Sequence, residues 1–232
     1  TRNPQSPWLT TRGFFMAKAR KENKCESEGG NMKPIIDDFL GKIRQHHYAT
    51  YQHCIRTTQI TSMISDSLRL SNKDKHYLIV AAILHDLGKV NIPTEILNSP
   101  NKLQHYEWMI IKQHPVYGAN MLKHYQIYDD VVSGIMSHHE RFDGLGYPNN
   151  LIGEEIPWQG RIIAIADSLD AMVSYRHYRK EKTLNQALQE IWNMKGVQFD
   201  PYIVNKFSKW DKVSLGKILY TQPSFNLGRI II

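Results

Sequence analysis

The stretch AAILHDLGK (81–89) decides how the chain is read. Ala81, Ala82, Ile83 and Leu84 form a buried-looking helical turn, and they deliver His85 and Asp86 side by side ahead of Gly88 and Lys89. Gly88 is expected to end the helix, which would leave the pair at a helix end with both side chains turned towards one point. Adjacent imidazole and carboxylate groups suit a site with two metal ions, because a carboxylate has two oxygens and can bridge cations roughly 3.5–4 Å apart. Taken alone, such a pair reads as a buried histidine beside a capping aspartate. The residues around it change that.

Working outward, apolar residues recur at helical spacing on both sides. Ile36, Phe39, Leu40 and Ile43 make one run, and Tyr51, Ile55, Ile60, Met63, Ile64 and Leu68 make a second. Ser71 to Asp74 resembles a capping box for the helix that carries the pair. Downstream, Leu103 to Lys112 is helical in pattern, and Pro115 fits the first turn of a helix reaching about Tyr125, with His114 at the junction. Asp129 and Asp130 are expected to cap a helix that brings His138 and His139 to its far end. An apolar helix from about Gln159 to Tyr175 carries Asp167 and Asp170. Thr183 and Gln186 form another capping pattern, and Asp200-Pro201 opens what reads as a last helix through Val204 and Phe207. No convincing alternating strand precedes residue 213, so the class is all-α, a helical bundle with a buried two-metal site. Residues 1–33 lack apolar periodicity and read as a leader or linker, residues 34–212 as the domain, and residues 213–232 as a tail of ambiguous pattern.

Bulk properties narrow the function classes. The 232 residues suit one domain with a sizeable core, and the formal charge of +7 points to an anionic partner. Basic residues are scattered and no zinc-finger spacing or Gly-rich RNP stretch occurs, so a nucleic-acid polymer gets little support, while a small phosphorylated substrate fits the charge equally well. Cys25 and Cys54 are the only cysteines, too few for a disulfide framework or a thiolate site. Nitrogen and oxygen ligands then favour Fe, Mn or Zn. No apolar run is long enough to span a bilayer and the start does not resemble a secretory signal, so a cytoplasmic location is expected.

The candidate ligands are His53, His85, Asp86, His114, His138, His139 and Asp167. Each alone reads as a core or surface residue. Together, five imidazoles and two carboxylates are about what two ions need if Asp86 bridges them and water completes the shell. A bridged pair of cations lowers the pKa of a shared water and neutralises phosphate oxygens, so phosphoester hydrolysis is the reaction predicted. Lys89, three residues after Asp86, could hold a phosphate oxygen or the hydroxide, or be an ordinary solvated lysine. Gly144 and Gly146 allow a loop that folds back and offers amide groups to a ligand. Tyr147 could stack on a guanine, donate its hydroxyl, or belong to a plain surface turn. Arg141 and Asp143 are expected to brace the loop.

These motifs resemble, in order and spacing, a known family. HDLGK (85–89), HPVYG (114–118), HHERFDGLGYP (138–148), IIAIADSLDAMVS (162–174) and GVQFDP (196–201) are similar to the HD-GYP domain, a subgroup of the HD phosphohydrolase superfamily, over roughly residues 36–210. The resemblance implies a helical bundle holding two or three iron or manganese ions, and hydrolysis of cyclic di-GMP to linear pGpG and often onward to GMP. It implies His53, His85, Asp86, His114, His138, His139 and Asp167 as metal ligands, with Asp86 bridging and Lys89 near the nucleophile. Arg176 and Arg179 would hold substrate phosphate, Tyr147 and Gly146 would contact substrate, and Asp170 would contact substrate or support a neighbouring ligand. The loop would also offer contacts to diguanylate cyclase domains, and an upstream sensor domain is a further expected partner.

Two positions depart from the family pattern. Where some members place a Glu that helps hold a third metal, four residues before the first His ligand, this chain has Ala49, so two ions and release of pGpG are expected. His177 replaces a usual Pro and leaves both arginines in place. The rival readings are a receptor or cyclase-interaction module that binds cyclic di-GMP without turnover, and a phosphodiesterase for another cyclic dinucleotide.

Overall fold

The structure, a computed structural model, describes residues 32–125, 127–174, 181–207 and 211–221. Its helices are α1 (Lys33–His46), α2 (Tyr48–Ser67), α3 (Asn72–Leu84), α4 (Thr94–Leu97), α5 (His105–Ile111), α6 (His114–Leu122), α7 (Asp129–Ser137), α8 (Trp158–Val173), α9 (Leu184–Asn193), α10 (Pro201–Phe207) and α11 (Lys212–Tyr220), with 3-10 turns at Leu87–Asn91 and Gly153–Glu155. Among the described residues there is no strand, only isolated bridges between Asp143 and Ile152 and between Lys195 and Phe199. The class is all-α, as the sequence reads.

The centre is α3. Its residues from Tyr77 to Leu84 are all buried, which is how a helix apolar on every side behaves. It packs against α2 and α7, and α8 packs against both α2 and α7. From α8, Ile162, Ile163, Ile165, Ala166 and Leu169 enter the same core. Each of these isoleucine and leucine side chains contributes about 1.5–3 kcal/mol when withdrawn from water. Arg161 and Asp200, 2.7 Å apart and both buried, tie α8 to the start of α10.

The capping signals hold where a side chain has the geometry to act. Ser71 Oγ accepts from the Asp74 amide at 3.1 Å to open α3, and Thr183 with Gln186 forms the reciprocal box that opens α9. Asp200 Oδ1 accepts from the Tyr202 amide at 2.7 Å to start α10. At α7 the reading changes: Tyr128 precedes the helix without a side-chain cap, and Asp129 and Asp130 lie inside the first turn, where their charge still favours the helix dipole. Asp130 instead accepts from Gln159 Nε2 at 2.8 Å, joining α7 to α8.

Two further expectations are corrected. Gly88 does not end α3, which stops at Leu84; it sits in the following 3-10 turn because a Cβ there would run into the His114 carbonyl and the Gly118 amide of α6. Nor is α10 the last helix: Lys212–Tyr220 is helical, capped by Asp211, and buries Leu215 and Leu219. None of the described helices is long and apolar enough to cross a membrane.

Candidate metal centre

Three helix ends and two helix faces converge on one point. His85 is the residue that closes α3 and Asp86 follows it, with φ −97° and ψ 10°. His114 opens α6, held against the HD turn by the close approach at Gly88. His138 closes α7 and His139 follows. His53 projects from α2 and Asp167 from α8. All seven predicted ligands are therefore brought together.

Their ring hydrogens can be assigned by argument. The Nδ1 atoms of His85, His114 and His138 lie 2.8, 2.7 and 2.6 Å from the carbonyl oxygens of Ala82, Ile111 and Ile135, three residues back in each case. A carbonyl only accepts, so each Nδ1 carries the proton and each Nε2 turns a lone pair inward. Burial keeps these rings neutral by lowering their pKa values, despite the nearby Asp86 charge. Yet His114 Nε2 stands 3.1 Å from His138 Nε2, and His85 Nε2 stands 3.3 Å from His53 Nε2. The facing lone pairs of His114 and His138 repel at that distance unless a cation lies between them, whereas His53, with its pKa raised, carries an Nε2 proton in the metal-free state that a cation would displace.

Asp86 has the same need. It is 1% exposed, and its Oδ1 has no hydrogen-bond donor although His114 Nε2 is 3.2 Å away. Burial opposes its charge, but Lys89 and the surrounding imidazoles hold the carboxyl well below its usual range. Two sets of donor atoms can each hold an ion, Asp86 with His114, His138 and His139, and His53 with His85 and Asp86. Asp86 belongs to both. Asp167 also faces both, with Oδ1 3.0 Å from His53 Nε2 and Oδ2 3.8 Å from His139 Nδ1. A donor set of imidazoles and carboxylates with a shared carboxylate fits two divalent cations.

The support around the ligands is only partly anticipated by the sequence. Asp170, 0% exposed, accepts from His53 Nδ1 at 2.6 Å and from Arg56 Nε at 2.5 Å. Its oxygens are occupied, so it holds His53 and does not reach substrate, which corrects its assignment as a substrate contact. Burial disfavours charge on His53, but hydrogen bonds to Asp167 and Asp170 prevail and push its pKa up to about 9. Sequence reasoning missed Arg56, one helical turn from His53; its spacing in HxxR was the available signal. Lys89 Nζ contacts Asp86 Oδ2 at 2.6 Å, at the rim of the cluster.

The loop after His139 is braced as expected by Arg141 and Asp143, paired at 3.0 and 2.6 Å. Gly144 takes φ +80°, whereas Gly146 is required for a different reason, since a Cβ there would collide with the Glu140 and Arg141 backbone. Glu140, also missed, is buried and takes the amides of Asn149 and Leu151 at 2.7 and 3.1 Å, which pulls the loop inward. Tyr147 is thereby laid on the His139 ring, centroids 4.8 Å apart. Arg176 and Arg179 lie outside the described residues.

The sequence profile of the HD domain family matches residues 35–203. The chain belongs to the HD domain family. Among curated proteins, a cyclic di-GMP phosphodiesterase of Thermotoga maritima is 38% identical over 217 residues, 91% of this chain and 58% of that protein. A 3'3'-cGAMP-specific phosphodiesterase 2 of Vibrio cholerae is 33% identical over 186 residues, 78% of this chain and 35% of that one. The chain thus spans between about a third and three fifths of these relatives' length. Among solved structures, a cyclic GMP-AMP specific phosphodiesterase of V. cholerae (V-cGAP3) matches with TM-score 0.61 at 20% identity, covering 86% of this chain and 57% of that one, and this likeness bears on the fold.

Proposed function

We propose that this HD domain is a phosphodiesterase for a cyclic dinucleotide, with cyclic di-GMP as substrate and linear pGpG as main product. The observation that carries the reading is the place of Asp86 in two donor sets at once, with an unpartnered buried oxygen. The proposed ligands are His53, His85, Asp86, His114, His138, His139 and Asp167, and iron or manganese suits them. Bound there, two such cations would lower the pKa of water and neutralise phosphate oxygens.

The chain's own groups account for the rest. Asp86 anchors Lys89, 22% exposed at the rim, and in this reading its ammonium takes a phosphate oxygen. Tyr147, whose phenol burial and the Asp167 and Asp86 charges keep protonated, donates a hydrogen bond and never competes as an anion. Gly146 lets the loop backbone approach, and Arg176 and Arg179 are carried over from the family resemblance as phosphate contacts. Ala49, exposed on the first turn of α2, offers no donor atom, which supports two ions over three and pGpG over GMP. Leu145, 76% exposed at the loop tip, suits a protein partner such as a diguanylate cyclase domain.

Relatives that differ in base preference make guanine the finer part of the proposal. The test is to load purified protein with Fe or Mn under reducing conditions and follow cyclic di-GMP, 3'3'-cGAMP and cyclic di-AMP by chromatography. Linear pGpG formed fastest supports the proposal. Two bound ions per chain with no product from any of the three leaves the receptor reading in its place.

A further inference from the structure

Helix α5 buries none of its residues, although it carries Tyr106, Trp108 and Met109, exposed by 63%, 44% and 48%. Core packing does not explain that composition. The helix ends at Lys112, two residues before His114, and Lys112 is half-buried. Its ammonium lies 5.9 Å from the Trp108 ring centroid and 5.3 Å from that of Tyr147. Among the described residues no carboxylate pairs with it. Since Tyr147 is stacked on His139, the series His139, Tyr147, Lys112, Trp108 runs from the metal centre outward to an exposed indole. The cation near the nucleophile, Lys89, is by contrast already bound to Asp86.

A cyclic dinucleotide carries two phosphodiesters, and the metal centre can neutralise only the one being cut. The second negative charge and its base need their own contacts a few ångströms away. We propose that Lys112 and Trp108 form the subsite for the second nucleotide, the ammonium holding the phosphate that is not cut and the indole face stacking on the base next to it. A lysine acts as a point charge towards phosphate, and aromatic stacking accepts any base. The subsite therefore selects two-phosphate substrates over simple diesters without choosing among cyclic dinucleotides. It rests on the phosphodiesterase reading above.

The experiment uses metal-loaded protein and the variants Lys112→Ala, Lys112→Arg, Trp108→Ala and Trp108→Phe. Steady-state kinetics on cyclic di-GMP are compared with those on bis(p-nitrophenyl) phosphate, which has one phosphate and no base. Calorimetry with the bisphosphorothioate analogue of cyclic di-GMP gives binding apart from turnover. Lys112→Ala and Trp108→Ala are expected to raise KM and the analogue's Kd about tenfold, with the loss on cyclic di-GMP exceeding that on the simple diester by at least about fivefold. Lys112→Arg and Trp108→Phe are expected to recover most of the binding. Equal losses on both substrates, or a fall in kcat alone, or no change, overturn the subsite and leave the phosphodiesterase reading standing. A wild type that cuts the simple diester but no cyclic dinucleotide overturns both.

Discussion

His53 Nδ1 and Asp170 Oδ2 lie 2.6 Å apart across the contact of α2 and α8, and Arg56 secures the opposite oxygen of the same carboxylate. This triad fixes which nitrogen of His53 points at the centre. Asp170→Asn keeps the shape but removes the charge, so the ion held by His53 and His85 is expected to bind 10–100-fold more weakly, as for other outer partners of metal-ligating histidines. Elemental analysis after dialysis against a chelator should find about one ion per chain in place of two. Arg56→Met leaves the buried Asp170 with only His53 and the Ser174 hydroxyl and should lower stability by about 1–3 kcal/mol, read from the urea midpoint of the metal-free protein. Unchanged metal content in Asp170→Asn would show that His53 needs no support.

Gly88 makes a prediction about assembly of the site. A methyl group at that position has no room, because the His114 carbonyl and the Gly118 amide occupy it. Gly88→Ala should push α6 away from the HD turn and shift His114 relative to Asp86, costing about 1–3 kcal/mol in line with overpacking elsewhere. Metal content is expected to fall together with the melting temperature. Gly41→Ala, where nothing stands within 4 Å, is the matching control.

These two cases show what the sequence could and could not disclose. The ligands were legible because metal chemistry restricts residue types, and adjacent pairs such as His85-Asp86 and His138-His139 are hard to explain otherwise. Ser71 and Thr183 were legible as caps because capping is local. The role of Gly88 was not, since it depends on an element 26 to 30 residues away, and a glycine after a helix reads as a terminator. Arg56 and Glu140 were hidden for a similar reason: on a helix face or in a loop, a charged residue reads as solvated until its buried partner is known. Helix α11 was missed because its β-branched residues and Gly216 weaken the helical pattern, while its place is set by burial of Leu215 and Leu219.

The metal-free protein should have its stability maximum near pH 6.5. His85, His114, His138 and His139 are all lowered by burial, His139 to about 4, so below pH 6.5 the unfolded chain takes up protons that the folded one refuses. Stability is therefore lost on acidification, by about 1.4 kcal/mol per pH unit for each imidazole involved. His53 has the opposite sign: raised to about 9, its contribution is complete below pH 6.5 and disappears as pH climbs through 9. Urea titrations of chelator-treated protein from pH 4.5 to 9.5 test this. Metal loading should remove the alkaline fall, because a cation displaces the extra proton of His53, and should steepen the acid one, because protons compete with the metal for the imidazoles; a pH-independent midpoint without metal would contradict the assignment.

Glu140 separates loop position from metal binding. Its two oxygens take the Asn149 and Leu151 amides; burial raises the carboxyl's pKa, and those amide donors oppose the rise. Glu140→Gln substitutes an NH2 for one acceptor, so a donor then faces a backbone donor and about 1–3 kcal/mol of loop ordering is lost. Tyr147 should leave the His139 ring for part of the time, since the loop that presses it there is held by this carboxylate. KM for the cyclic dinucleotide is expected to rise about tenfold with two ions still bound per chain. If the ions were lost as well, the loop and the metal centre would be one unit, and Tyr147 would be part of what holds His139 in place.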